Sequence, residues 1–220
     1  MRCCSATWSA ALRKPAMPAE TLCTASGQPL SGPLLITPQV FGDERGFFYE
    51  SWNERRFRHD LISAGVPAAE GETLVFRQDN HSRSSRGVLR GLHFQLPPEP
   101  QGKLVRCSVG AIFDVAVDLR RNSPSYGQWV SAELSAENHQ QLWVPVGFAH
   151  GFLTLSELAE VQYKASGFWN RECERSLRWD DPALQVAWPL ERASVQMPLL
   201  AAKDGAAPLL AELDASGDLF

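Results

Sequence analysis

Arg90 and His93 sit three residues apart in Arg90-Gly91-Leu92-His93-Phe94-Gln95, with Gly87 before them and Pro97-Pro98 after. An imidazole titrates near neutral pH, so His93 is suited to taking up and returning a proton. A lone histidine in a β-rich chain ordinarily packs or meets solvent, but the short glycine-containing setting beside a guanidinium keeps the chemical reading open. Lys103 opens one β-prone run, Tyr163-Lys164 closes another, and Lys203-Asp204 lies near the C-terminus. Taken singly, each of these is a packing or surface residue. Asp43-Glu44-Arg45-Gly46-Phe47-Phe48 reads as a charged loop entering a strand, where Arg45 could hold phosphate oxygens bidentately. Gln78-Asp79-Asn80-His81-Ser82 reads as a loop. Its amides serve either as turn chemistry or as readers of a polar base or sugar edge, since an amide offers donor and acceptor together.

Pro145-Val146-Gly147-Phe148-Ala149-His150 carries a PxGxxH pattern that resembles the second motif of cupin barrels, a tight corner that points a histidine inward. A metal-binding cupin also needs HxH and a following Glu in its first motif. This chain has His93-Phe94-Gln95 there, with a single imidazole. Two histidines without a carboxylate or third ligand rarely complete a mononuclear site, so a metal-free pocket is expected.

Short β-prone runs must position these residues. They fall at 34–36, 47–50, 74–76, 103–106, 111–118, 129–130, 141–144, 151–155 and 159–164, with Gly, Pro, Asn and Ser between them. The clearest alternation puts Ile112, Asp114, Ala116 and Asp118 on one face and Phe113, Val115, Val117 and Leu119 on the other. One short helix is expected near 54–63, where Phe57, Leu61 and Ile62 recur at helical spacing. Many short strands with few helices predict a mainly β sandwich or barrel. Residues 1–33, rich in Ala, Ser, Thr and Pro, read as a poorly ordered N-terminal extension. Short helical turns are expected after about residue 191.

The chain has 220 residues, enough for one domain with a sizeable core. Its net charge of −4 argues against a general nucleic-acid binder. No window approaches the ~20 apolar residues that span a bilayer. The five cysteines show no CxxC spacing, which points to a reducing cytoplasm rather than a disulfide framework.

Taken together, five stretches resemble the dTDP-4-dehydrorhamnose 3,5-epimerase family: VFGDERGFFYESWN, QDNHSRSSRGVLRGLHFQ, QGKLVRCSVGAIFDVAVDLRRNSPSYGQWV, LSAENHQQLWVPVGFAHGFLTLSE, and LRWDDPALQVAWPL with the later AKDGAAPLL. The resemblance covers residues 34–212, leaving 213–220 as a C-terminal tail. It implies a mainly β, cupin-type jelly-roll barrel that works as a homodimer on a dTDP-sugar, with neither metal nor organic cofactor. Carried over by motif, His93 is the general base, Asp204 orients it, Tyr163 is the proton donor on the other face of the sugar, and Lys103 sits by the 4-keto oxygen. Arg45, Glu50, Gln78, Asp79, Asn80, Arg90, His150, Glu174 and Lys203 would line the substrate site. Trp169 stands where the family often has a tyrosine, and its indole would stack on the thymine. The segment 170–175 departs from the usual pattern around Glu174.

The chemistry agrees with this assignment. A proton beside a ketone becomes removable when charge moves onto the carbonyl oxygen as an enolate, which a cation such as Lys103 stabilises in a dry site. Inversion then needs an acid on the opposite face, and the 4-keto group activates both carbon 3 and carbon 5. Three other readings compete with it: an epimerase that inverts one carbon of a related 4-keto-6-deoxy sugar nucleotide, a cupin metal enzyme, and a non-catalytic sugar-nucleotide-binding module.

Overall fold

A computed structural model describes residues 19–220. Two antiparallel sheets face each other. The larger has six strands in the spatial order β1 (Ala19–Cys23), β2 (Pro29–Ile36), β10 (Gln141–Val144), β7 (Lys103–Val109), β12 (Leu158–Ala165) and β5 (Gln78–Ser85). The smaller has five, in the order β13 (Glu174–Ser176), β6 (Leu89–Gln95), β11 (Phe148–Thr154), β8 (Ala111–Asp118) and β9 (Trp129–Ser135). A separate hairpin, β3 (Val40–Asp43) and β4 (Gly46–Tyr49), joins neither sheet. The strand pattern predicts this mainly β architecture, and the family resemblance predicts its jelly-roll form.

The main core lies between the sheets. Leu30, Val105, Leu142, Val144 and Val161 from the six-stranded sheet meet Ile112, Ala116, Val130, Leu134, Phe148 and Phe152 from the other. Both outer faces are covered as well. Leu92, Phe94, Val115, Val117 and Leu119 pack under Leu177, Leu184, Leu213 and Leu219 of the C-terminal segment. Leu34, Ile36, Leu104 and Trp143 pack under the helix α1 (Glu54–Ser63). Strands buried on both faces lose the polar half of their alternation, and β11 is accordingly buried at every position. On β8 the expected alternation holds: Ile112 and Ala116 face the inter-sheet core, while Val115 and Val117 face the outer layer.

α1 spans the stretch expected to be helical. Asn53 caps it, its side-chain oxygen accepting from Arg56 N at 3.1 Å, and the helix buries Phe57 and Leu61. Burial of each of these side chains contributes about 1.5–3 kcal/mol. A shorter helix follows, α2 (Ala68–Thr73), and two more close the chain, α3 (Ala202–Gly205) and α4 (Leu210–Ser216).

The structure corrects several expectations. Residues 19–33 are not a loose extension. They form β1 and most of β2, because Leu30 fills the core while the Ala19–Cys23 strand pairs with Pro29–Ile36; residues 1–18 lie outside the described region. The segment 74–76 is not a strand. Leu74 and Phe76 instead pack singly against the layer under α1. Residues 78–82 are not a loop but the start of β5, an edge strand whose polar residues face solvent on one side. The tail 213–220 is part of the domain, since Leu213 and Leu219 are buried.

Candidate active site

Inward-facing positions of five strands converge at one end of the barrel. His93 comes from β6, Lys103 from β7, His150 from β11, Tyr163 from β12 and Glu174 from β13. With Arg90, Trp169, Lys203 and Asp204 they line a cavity of about 500 Å3. Lys103 and Tyr163 belong to one sheet and His93 and His150 to the other, so cation and phenol reach the cavity from the side opposite the imidazoles.

Glycine sets the imidazoles side by side. A Cβ on Gly91 would lie 2.6 Å from Gly151 Cα and 2.8 Å from His150 O, and Gly91 adopts φ +117°. Only glycine allows that approach and that backbone angle. The ladder between β6 and β11 is irregular there, and His150 pairs directly with His93. This is a packing reason for the glycines that flank each histidine in the sequence.

His93 Nε2 lies 2.6 Å from Asp204 Oδ1. With Nε2 engaged by the carboxylate, Nδ1 is the ring nitrogen left to act as a base. Burial pushes the His93 pKa below its ordinary value, against the opposing pull of Asp204. His93 is therefore neutral, and able to accept a proton, at neutral pH. Burial raises the Asp204 carboxyl, but the His93 contact, the Gly91 N–H and Lys203 outweigh it and hold the group below its ordinary value. Asp204 stays ionised and can stabilise the imidazolium that forms when His93 takes a proton.

Lys103 is buried, and its Nζ donates to His93 O at 3.3 Å. Burial lowers its pKa to about 8, with Asp114 and Glu174 opposing the fall. Burial and the Glu174 charge raise the Tyr163 pKa, so the phenol keeps its proton at neutral pH and is fit to donate it. Lys203 Nζ bonds Glu174 Oε1 at 3.1 Å, linking β13 to α3 at the cavity rim. Trp169 is 55% exposed at the rim, a free aromatic face available for stacking.

Other expected residues lie elsewhere. Gln78 and Asn80 are hydrogen-bonded to each other at 2.9 Å, and Gln78 Oε1 accepts from Trp169 N at 2.9 Å, so they support the rim from β5. Asp79 points to the other side of the sheet, where it bonds Lys164 Nζ at 3.0 Å. Arg45 and Glu50 do not line the His93 cavity. Arg45 is on the β3–β4 hairpin with its side chain 89% exposed and paired to Asp43, and Glu50 pairs with Arg56 at 3.2 Å. Sequence reasoning missed Asp114, whose Oδ1 meets His150 Nε2 at 2.7 Å. Its signal was an aspartate on the same strand face as Ile112 and Ala116. Among the described residues, no three His, Cys, Asp or Glu side chains are grouped as a metal-binding set. Each cavity histidine is matched to a carboxylate instead.

The family model for dTDP-4-dehydrorhamnose 3,5-epimerase matches residues 28–212. The dTDP-4-dehydrorhamnose 3,5-epimerase of Salmonella typhimurium is 55% identical over 177 residues, which cover 80% of this chain and 90% of that one. The counterpart from Pseudomonas aeruginosa is 54% identical, covering 82% and 92%. The crystal structure of dTDP-6-deoxy-D-glucose-3,5-epimerase from Legionella pneumophila, in complex with dTDP-4-keto-L-rhamnose, is 43% identical and superposes with a TM-score of 0.78 over 91% of this chain and 97% of that one. A family match across nearly the whole described chain, with relatives above half identical, places this protein in the dTDP-4-dehydrorhamnose 3,5-epimerase family.

Proposed function

We propose that this chain inverts carbons 3 and 5 of dTDP-4-dehydro-6-deoxy-D-glucose, giving dTDP-4-dehydro-L-rhamnose. The observation that carries the reading is His93 held by Asp204 at 2.6 Å, with Lys103 and Tyr163 across the same cavity. His93 removes the proton beside the ketone, and the electron pair moves onto the 4-keto oxygen. Lys103 stabilises the resulting enolate in a buried setting, where a fixed charge acts strongly. Tyr163 delivers a proton from the other face, inverting the carbon. The same enolate chemistry serves both carbons that flank the ketone. No step calls for a metal or an organic cofactor. At the nucleotide end, Trp169 stacks on the thymine, while Arg90, Lys203, Glu174 and the Gln78–Asn80 pair hold the remainder of the substrate.

The test is incubation with dTDP-4-dehydro-6-deoxy-D-glucose in deuterated water. Deuterium at carbons 3 and 5 is the expected result. Label at one carbon only would make this a single-carbon epimerase, and label at neither would sink the epimerase reading.

The working unit is a homodimer. In support, Phe41, Phe47 and Phe48 are 48%, 63% and 71% exposed on the β3–β4 hairpin, an apolar surface that a second copy would cover. A hairpin crossing between copies would also bring Arg45 and Glu50 to the diphosphate end of the neighbouring cavity. Sedimentation should give twice 24.3 kDa, and Phe47→Ser with Phe48→Ser should shift it toward the single-chain mass. A cytoplasmic location fits the free thiols of Cys23, Cys107 and Cys173. Among the described residues, no helix is long and apolar enough to cross a membrane.

A further inference from the structure

Asp114 has no part in the proton transfers above, yet it is fully buried behind the cavity-lining His150, with 0% exposure. Its Oδ1 meets His150 Nε2 at 2.7 Å, while its Oδ2 is buried with no hydrogen-bond partner. It shares the inward face of β8 with Ile112 and Ala116 and pairs in register with Phe152. A carboxylate in such apolar company is costly unless it is hydrogen-bonded and faced by positive charge. Both compensations here come from substrate-facing groups, the His150 ring and the Lys103 ammonium.

We propose that Asp114 is a positioning residue for the epimerisation: it holds the His150 ring by Nε2 and sets a buried negative charge facing Lys103, so that both groups meet the substrate ketone already arranged. This role rests on the epimerase reading. With Nε2 spent on Asp114, His150 offers only Nδ1 to the substrate, and its ring cannot exchange one nitrogen for the other. Around Lys103 the cavity presents Glu174 on β13, Lys203 on α3, His93 on β6, His150 on β11 and Tyr163 on β12, and the charge of Asp114 on β8 acts on it from beside His150. Glu174 is shared with Lys203 at 3.1 Å. Among the described residues Asp114 bonds no lysine or arginine, so together with Glu174 it supports the Lys103 charge while its own hydrogen bond goes to His150.

Lys103 stabilises an enolate only as an ammonium, so the rate falls as pH rises through its pKa of about 8. Removing the Asp114 charge lowers that pKa further, and the alkaline limb moves to lower pH. Asp114→Asn keeps the shape and one acceptor oxygen but loses the charge. The expected result is a fall in kcat of about 10–100-fold, with KM and dTDP affinity within about threefold and the alkaline limb moved down by about one pH unit. His150→Gln, which keeps Asp114, should lower kcat and leave that limb in place. Wild-type kcat in Asp114→Asn would overturn the proposal. So would a joint loss of kcat, dTDP affinity and melting temperature with the limb unmoved, because that is a packing role. If Asp114→Asn fails to fold, the His150→Gln profile decides: a limb that moves refutes the charge role, and one that stays supports it. A wild-type enzyme that exchanges no deuterium would remove the epimerase reading itself, an outcome distinct from a normal wild type with an unaltered Asp114→Asn.

Discussion

The cavity contains two imidazole–carboxylate pairs that look alike at the contact and differ in everything around it. His93 Nε2 stands 2.6 Å from Asp204, and His150 Nε2 stands 2.7 Å from Asp114. The two histidines are also direct neighbours across the β6–β11 ladder. The side chain of His93 is 23% exposed to the cavity, that of His150 only 8%. Asp204 comes from the C-terminal segment, 111 residues away, whereas Asp114 comes from the adjoining strand, 36 residues away. A base must cycle between neutral and charged forms, which requires access to the carbon acid and a carboxylate able to respond. A buried pair built into a sheet has neither freedom, and serves better as a rigid electrostatic fixture. Equal contact distances therefore carry unequal tasks.

Breaking the first pair should produce the largest effect. His93→Ala should slow deuterium exchange into substrate by about 10⁴-fold, at the upper end for a general base, with dTDP affinity within a few-fold by calorimetry. If His150→Ala slowed proton removal equally while His93→Ala spared it, the roles of the two pairs would be reversed. Asp204→Asn should cost about 10³-fold in kcat, because the imidazolium loses its counter-charge. Asp204 raises the His93 pKa, so its loss should also move the acid limb of the rate profile to lower pH; an unmoved limb would separate Asp204 from His93. Across the cavity, Tyr163→Phe should lower inversion by about 10²-fold and initial exchange by less, measured as deuterium appearing in substrate that has not been inverted. Equal losses in both would deny the phenol its distinct step. At the rim, Trp169→Ala should weaken dTDP binding about tenfold and leave kcat within about threefold, a stacking contribution near 1.4 kcal/mol.

The β3–β4 hairpin and the barrel interior differ in how well sequence could read them. On β8 the period of two is local, so Asp114 falls on one face with Ile112, Ala116 and Asp118, but only the two-sided packing shows that this face looks inward. The helix at 54–63 was equally local, with Asn53 before it and Phe57 and Leu61 on one side. Strands β5 and β6 were less visible. Gln78 and Asn80 make β5 polar enough to resemble a turn, and Gly91 weakens the strand signal of β6 because it serves a close backbone approach instead. Residues 19–33 look unstructured because their strand propensity is poor; they are ordered by the β1–β2 hairpin, which is held in the sheet by the pairing of residues 34–36 with β10, far along the chain. Arg45 could be named from its motif, but no local pattern tells that its hairpin stands away from the cavity of its own chain.

By itself the sequence determined the chemical inventory: an imidazole beside glycines, a second imidazole after a PxGxxH corner, a phenol and an ammonium on strands, and an order of motifs shared with one family of epimerases. These are matters of residue type and short spacing, which the chain carries without folding. Only the tertiary structure decided which carboxylate meets which imidazole. Asp204 reaches His93 because the C-terminal segment packs across the outer face of the five-stranded sheet, and Asp114 reaches His150 because β8 and β11 are neighbours in that sheet. Pairing over such separations depends on sheet order, register and the fit of two glycines at Gly91 and Gly151, and none of these is written in the periodicity of any one segment.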